Sequence, residues 1–144
     1  MDSEQIALVQ ASLVHIQPIA DTIAALFYQR LHQLDPSAHC LLQDGSPHTE
    51  QSFMHLLWWI IQELHQPERV LPHAQALGRQ HAHNGVQSRH YVVAGVALLW
   101  ALRQSLQQQF TPEIEAAWAR TFALLAETMA EAAGNERLHP SSEE

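Results

Sequence analysis

The sequence predicts an all-α domain, and three observations carry that prediction. Apolar residues recur at helical spacing along nearly the whole chain, and capping residues and prolines punctuate the runs. No β-strand alternation, internal repeat or glycine-rich phosphate loop interrupts them.

The elements follow in order. Ile6, Leu8, Val9, Leu13 and Ile16 repeat with a period near 3.6 behind the capping candidates Asp2 and Ser3. Pro18 restarts the chain, and Ala20, Ile23, Ala24, Phe27, Leu31 and Leu34 form a second stripe. Asp35-Pro36 pairs a cap with a first-turn proline and opens a short helix through Leu42. QDGSPHTEQ follows as a loop. Helix resumes near His48 and runs to about His65, with Phe53, Leu56, Leu57, Ile60 and Leu64 inward. Pro67 starts another helix, which weakens at Asn84-Gly85. A long helix covers about Ser88 to Gln108, and Thr111-Pro112-Glu113 caps a last one through about Ala133. The expected domain is residues 1–133, with 134–144 a loose tail. These helices are too many and too unequal for a simple four-helix bundle.

Composition narrows the function. A chain of 144 residues with 47% hydrophobic and 15% charged residues can bury a core without disulfides, and Cys40 is its only cysteine. The acidic start MDSEQIALVQ lacks the pattern of a secretory signal, and the longest apolar stretch, Val92 to Leu102, is too short to span a bilayer. A soluble, cytoplasmic protein with no membrane insertion is the expectation. Net charge is -8, and the seven basic residues are single, scattered arginines, so a nucleic-acid surface is not expected.

The 11 histidines are the unusual feature. Most fit solvated helix faces, but Val70, Ala74, Leu77 and His81 follow at steps of four, three and four, so His81 continues a buried stripe. His83, two residues on, should face outward. Gly78, one turn before His81, removes a side chain where something flat could approach the backbone. Pro72, Gly78 and Asn84-Gly85 all weaken this helix, which suggests a bound partner on which it packs. Spacing alone leaves two readings of His81, a hydrogen-bonded core histidine or a ligand. A zinc site finds no HExxH or CxxC, and His73, His81 and His90 are not at tetrahedral-ligand spacing.

The surrounding residues carry a resemblance. LGRQHAHNGV, then RHYVVAGVALLWAL, then FTPEIEAAWARTFALLAETM is similar to the second half of a globin. Within that family it resembles the globin domain of bacterial flavohaemoglobins and single-domain bacterial haemoglobins. It extends back through LLWWIIQELHQPERVLPHAQALGRQH and LFYQRLHQLDPSAHCLL, covering the chain from about Ile6 to Ala133.

The resemblance implies a globin fold around haem b (iron protoporphyrin IX), with His81 as the iron's protein ligand. The other His81 ring N–H would then donate to an acceptor such as the Leu77 carbonyl. Tyr91 matches a tyrosine in a proximal network with that histidine and a glutamate. Gapless counting from Trp118 puts Ala133 at the glutamate position, with Glu131 facing elsewhere, so Tyr91 is left simply to pack. Tyr28 matches a distal tyrosine that donates to a bound gas, its alternative being an amphipathic residue at the core's edge.

Thr49 falls where globins usually place histidine or glutamine, with Gln51 and His48 as alternatives in a shifted register, and Phe53 would cover the ligand's apolar side. Leu42 stands where globins nearly always place a phenylalanine against the haem. Val86, Ala94 and Leu98 are further haem contacts or core residues, and at most one of Trp58 and Trp59 faces the haem. His48 or His55 could also make the iron six-coordinate.

The function implied is reversible binding of O₂ and NO. With electrons from a separate reductase, NO dioxygenation is a further expectation, since the chain leaves no room for a flavin or nicotinamide domain. Two alternatives stand beside it, a haem-based gas sensor acting through a partner protein and a globin-like helical interaction module without haem.

Overall fold

The computed structural model describes residues 2–42 and 49–138, excluding the side chains of residues 49–52 and 135–138. The expected His48 lies outside the described residues. Among the described residues, seven α-helices follow one another: α1 (Ser3–Ile16), α2 (Ala20–Leu34), α3 (Pro36–Leu41), α4 (Thr49–Gln62), α5 (Pro67–His83), α6 (Ser88–Leu106) and α7 (Pro112–Leu138). No strand occurs among the described residues.

The punctuation in the sequence sets most helix ends. Asp2 accepts from the Gln5 backbone N–H at 2.8 Å and closes a capping box at the start of α1. A 3-10 turn at Gln17–Ile19, carrying Pro18, separates α1 from α2. Asp35 caps α3 through the backbone N–H groups of Ser37 and Ala38, at 3.0 and 3.3 Å. Thr111 Oγ1 accepts from the Ile114 N–H near the start of α7. That last helix continues to Leu138, so the expected stop near Ala133 and the expected loose start of the tail give way to helix over 134–138. No proline or capping signal interrupts GNERL, and a single glycine does not end a helix.

Packing pairs α2 with α6 and α5 with α7, while α1 reaches across to α7. The α1–α7 contact is fixed by a buried polar chain, in which Trp118 Nε1 donates to Ser12 Oγ at 2.9 Å and Ser12 Oγ donates to the Val9 carbonyl at 2.6 Å. The core is contributed by Val9, Ile16, Ile23, Leu31, Leu98, Leu102 and Trp118. Burying each such large side chain contributes on the order of 1.5–3 kcal/mol. By length and apolar composition, Ser3–Leu34 could cross a membrane. In this fold that run bends at the 3-10 turn and places Val9, Leu13, Ile16, Ile23 and Phe27 in the core.

The weak helix α5 forms in full because of what it packs on. Val70, Ala74 and Gly78 are buried along one stripe. A Cβ built on Gly78 would meet the Met129 backbone of α7, with the Met129 Cα at 2.6 Å. The missing side chain therefore admits a neighbouring helix, not a flat ligand, which corrects the expectation for Gly78. Pro72 is exposed, so its ring projects away from the contact.

Candidate haem pocket

A cavity of about 290 Å³ opens between two walls. One wall comes from α2, α3 and α4, with Phe27, Tyr28, Leu42 and Phe53. The other comes from α5, α6 and α7, with His81, Tyr91, Ala94, Leu98 and Phe122. The lining is mostly apolar, with few polar side chains, a chemistry that suits a large flat hydrophobic ligand held by specific anchors.

His81 sits in the last turn of α5, and the sequence explains its fixed position. Asn84 ends the helix and Gly85 adopts a left-handed φ of 101°. The Val86 N–H donates to the His81 carbonyl at 2.9 Å, and the Gly85 N–H donates to the Ala82 carbonyl at 3.0 Å. This pair of bonds is a Schellman cap, and only glycine takes its central position without strain. The Asn84-Gly85 break thus anchors the backbone of the residue that lines the cavity. Val86 is itself buried and belongs to this cap; it is not among the residues lining the cavity.

The side chain of His81 is fixed from α6. Its Nδ1 lies 2.9 Å from the Tyr91 hydroxyl. Tyr91 therefore pairs with the histidine, and the expected Leu77 carbonyl is not the ring's partner. Burial holds the His81 imidazole below its ordinary pKa, so it is neutral at pH 7, the form that ligates metals. Burial also pushes the Tyr91 phenol up to about 12, so it stays protonated. Ala133 is buried and Glu131 is exposed.

The facing wall is aromatic. Phe27 and Phe53 stack at 4.5 Å with planes 4° apart, and the Tyr28 ring meets both edge-on at 4.8 and 5.8 Å. Offset and edge contacts of this kind contribute about 0.5–1.5 kcal/mol each beyond area burial. Leu42 is half-buried at the end of α3 and lines the cavity where an aromatic ring was expected by family pattern. Thr49 and Gln51 fall on the first turns of α4, but their side chains are outside the description. His55 is exposed and does not line the cavity. Neither tryptophan lines it: Trp58 packs on the core, and the Trp59 ring lies 5.2 Å from that of His73. His83 is exposed, as its helical position implied.

Sequence reasoning missed the contribution of α7. Phe122, Leu125 and Met129 line the cavity at steps of three and four, a stripe readable in the sequence but not assignable to this face before α7 was placed. It also missed His90, which is almost fully buried beside Tyr91. His90 Nδ1 accepts from the Gln87 N–H at 2.8 Å, and Nε2 lies 3.4 Å from Ser37 Oγ. Ser37 Oγ donates to Asp35 at 2.6 Å, and Arg89 pairs with the same carboxylate at 3.1 Å. These bonds tie the start of α3 to the start of α6, so both pocket walls share one polar hinge.

Comparison with known proteins agrees with this architecture. The globin family matches residues 47–129, more than half of the chain. The chain belongs to the globin family and is a haem-binding globin. It is similar to the flavohemoprotein of Chromobacterium violaceum (26% identity over 90% of this chain) and to that of Bacillus subtilis (23% over 88%). It spans about a third of the length of those curated relatives.

Solved structures share the fold. An engineered carbene transferase from Rhodothermus marinus superposes with a TM-score of 0.85 over 96% of each chain at 20% identity. A bacterial globin from Campylobacter jejuni gives 0.80 over 94% of this chain and 99% of that one at 15% identity.

Proposed function

We propose that this cavity holds b-type haem with His81 as the iron's protein ligand, and that the protein reversibly binds O₂ and NO. The observation that carries the reading is the His81–Tyr91 pair at the cavity wall, with Tyr28 on the wall across from it. The residues present fit the group: a neutral imidazole with one nitrogen engaged, an apolar cleft, and aromatic rings to pack against a macrocycle. Haem, when bound, supplies the iron at which a diatomic gas coordinates and the redox chemistry by which O₂ and NO yield nitrate.

The protein's own groups have separate tasks. With Nε2 holding the iron, Nδ1 would carry the ring proton and donate to the Tyr91 oxygen, which would fix the plane of the imidazole. Because Tyr91 stays protonated and Ala133 occupies the glutamate position, His81 meets a neutral acceptor. A neutral acceptor draws less on the Nδ1 proton than a carboxylate, so His81 gains little imidazolate character. Tyr28 supplies a phenol in an otherwise apolar wall, a group that would donate to a gas and slow its release. Leu42 keeps apolar contact with the cofactor without the stacking a phenylalanine would add, on the order of 1 kcal/mol.

Sustained NO dioxygenation needs one electron per turnover, which a reductase would supply. Two alternatives, a haem-free interaction module and a sensor acting through a partner, find no comparable support: the cavity and its histidine are retained.

The test is optical. Haem added to the purified protein should bind at one equivalent and give the intense Soret band of a histidine-ligated globin. His81→Ala should lose that spectrum and recover it with added imidazole. A wild-type protein that takes up no haem would falsify the reading.

A further inference from the structure

Two routes join His81 to Tyr91. One is direct, the 2.9 Å bond between His81 Nδ1 and the Tyr91 hydroxyl. The other runs through the turn between α5 and α6. There the Val86 N–H donates to the His81 carbonyl at 2.9 Å, and the Gln87 N–H donates to His90 Nδ1 at 2.8 Å. The His90 N–H donates in turn to the Gln87 carbonyl at 2.9 Å. His90, the residue before Tyr91, therefore holds both backbone groups of Gln87.

The His90 ring is also fixed on its far side. Nδ1 accepts a backbone N–H, so the ring proton sits on Nε2 and faces Ser37 Oγ, 3.4 Å away. Ser37 Oγ donates its own proton to Asp35 at 2.6 Å, which leaves its lone pairs for Nε2–H. Asp35 caps α3, the helix whose C-terminal end brings Leu41 and Leu42 to the cavity. His90 is 1% exposed, so water does not readily replace a lost partner. A capping box ordinarily places Glu or Gln here, a flexible chain reaching back to one N–H. Imidazole adds a rigid donor opposite its acceptor and so ties the start of α6 to α3. A side chain that served α6 alone would need no second anchor.

We propose that His90 is a positioning residue for His81. Through Gln87 and Ser37 it holds the first turn of α6 where the Tyr91 hydroxyl reaches His81 Nδ1, and it thereby tunes the bond between His81 and the iron. The clause on the iron rests on the haem reading, whereas the placement of Tyr91 does not.

Two readouts keep these apart. In the haem-free protein, imidazole nitrogen NMR reports the bond at His81 Nδ1. In the haem-loaded ferrous protein without gas, resonance Raman reports the iron–histidine stretch, which falls when the ring loses its hydrogen-bond partner. His90→Leu should move both signals toward their positions in Tyr91→Phe, and adding His90→Leu to Tyr91→Phe should move them no further. His90→Asn keeps an acceptor for the Gln87 N–H and should restore most of the wild-type values. Ser12→Ala removes the buried bond to Trp118 at the α1–α7 contact, so it lowers stability and should leave both signals in place.

An unmoved His81 resonance in His90→Leu overturns the positioning role, as does an equal displacement in Ser12→Ala. Ser37→Ala, an exposed change on α3, serves if His90→Leu does not fold. It should displace the same resonance by less, and no displacement overturns the tie to α3. A moved resonance with an unmoved iron–histidine stretch overturns the tuning and leaves the placement standing. Failure to take up haem sinks the haem reading instead, and the resonance alone then decides the placement.

Discussion

The two walls of the pocket are built on different physics. The wall from α5, α6 and α7 is fixed by directional contacts: the cap that anchors the His81 backbone, the 2.9 Å bond from His81 to Tyr91, and the bare Gly78 backbone against Met129. The wall from α2 and α4 is shaped by ring packing among Phe27, Tyr28 and Phe53. Hydrogen bonds and backbone contacts tolerate little displacement, whereas stacked rings can slide by fractions of an ångström at small cost. The protein thus holds the His81 wall in one geometry and leaves the Tyr28 wall more adjustable.

Gly78→Ala strikes that contrast hardest. A methyl group against the Met129 backbone must separate α5 from α7, so a loss of about 1–3 kcal/mol is expected despite the better helix propensity of alanine. Denaturant unfolding of the haem-free protein measures it, and a neutral or stabilising result would show that the two helices have room to move apart. Haem retention should fall in parallel, because His81 lies on the same helix.

Tyr91→Phe removes the hydrogen-bond partner of the His81 ring while keeping the apolar bulk. Loss of such a supporting partner typically lowers metal affinity on the order of tenfold or more. Competition for haem with an acceptor protein reads the effect, and unchanged haem loss would reduce Tyr91 to a packing residue. On the other wall, Tyr28→Phe should leave haem affinity nearly unchanged. It should speed O₂ dissociation by on the order of tenfold, the equivalent of one hydrogen bond of about 1 kcal/mol or slightly more. If haem affinity fell instead, the division of labour between the walls would be wrong.

The smallest expected effect is on pH dependence. The folded-state pKa of His81 is lowered, so below pH 6.5 the unfolded chain takes up a proton that the native site resists. The stability contributed by this neutral site is therefore complete above about pH 6.5 and declines as pH falls below it. His81→Gln should flatten that part of the acid titration of the haem-free protein. An identical slope in variant and wild type would place the acid sensitivity elsewhere. Asp35, whose carboxyl is held low by its bonds to Ser37 and Ala38 and by Arg89, adds a separate loss at lower pH, as it protonates.

Much of this protein was legible from the sequence because the relevant forces are local. Asp35-Pro36, Thr111-Pro112 and Asn84-Gly85 mark helix ends through their own backbone preferences, and the four-three-four spacing turned His81 inward. Leu42, Ala94 and Leu98 line the cavity. Contacts between helices were not legible in the same way. The angle of α5 against α7 decides that Gly78 meets a backbone, and the angle of α6 against α5 decides that Tyr91, ten residues after His81, bonds its ring. The same placement turns the Phe122–Leu125–Met129 stripe of α7 toward the cavity and aligns His90 with Ser37. The sequence by itself determined where most helices start and stop, the end of α7 excepted, and which face is apolar, since those follow from dihedral preference and side-chain period. Only the tertiary structure decided which apolar faces meet and which polar atoms pair, because those depend on distances between residues far apart in the chain.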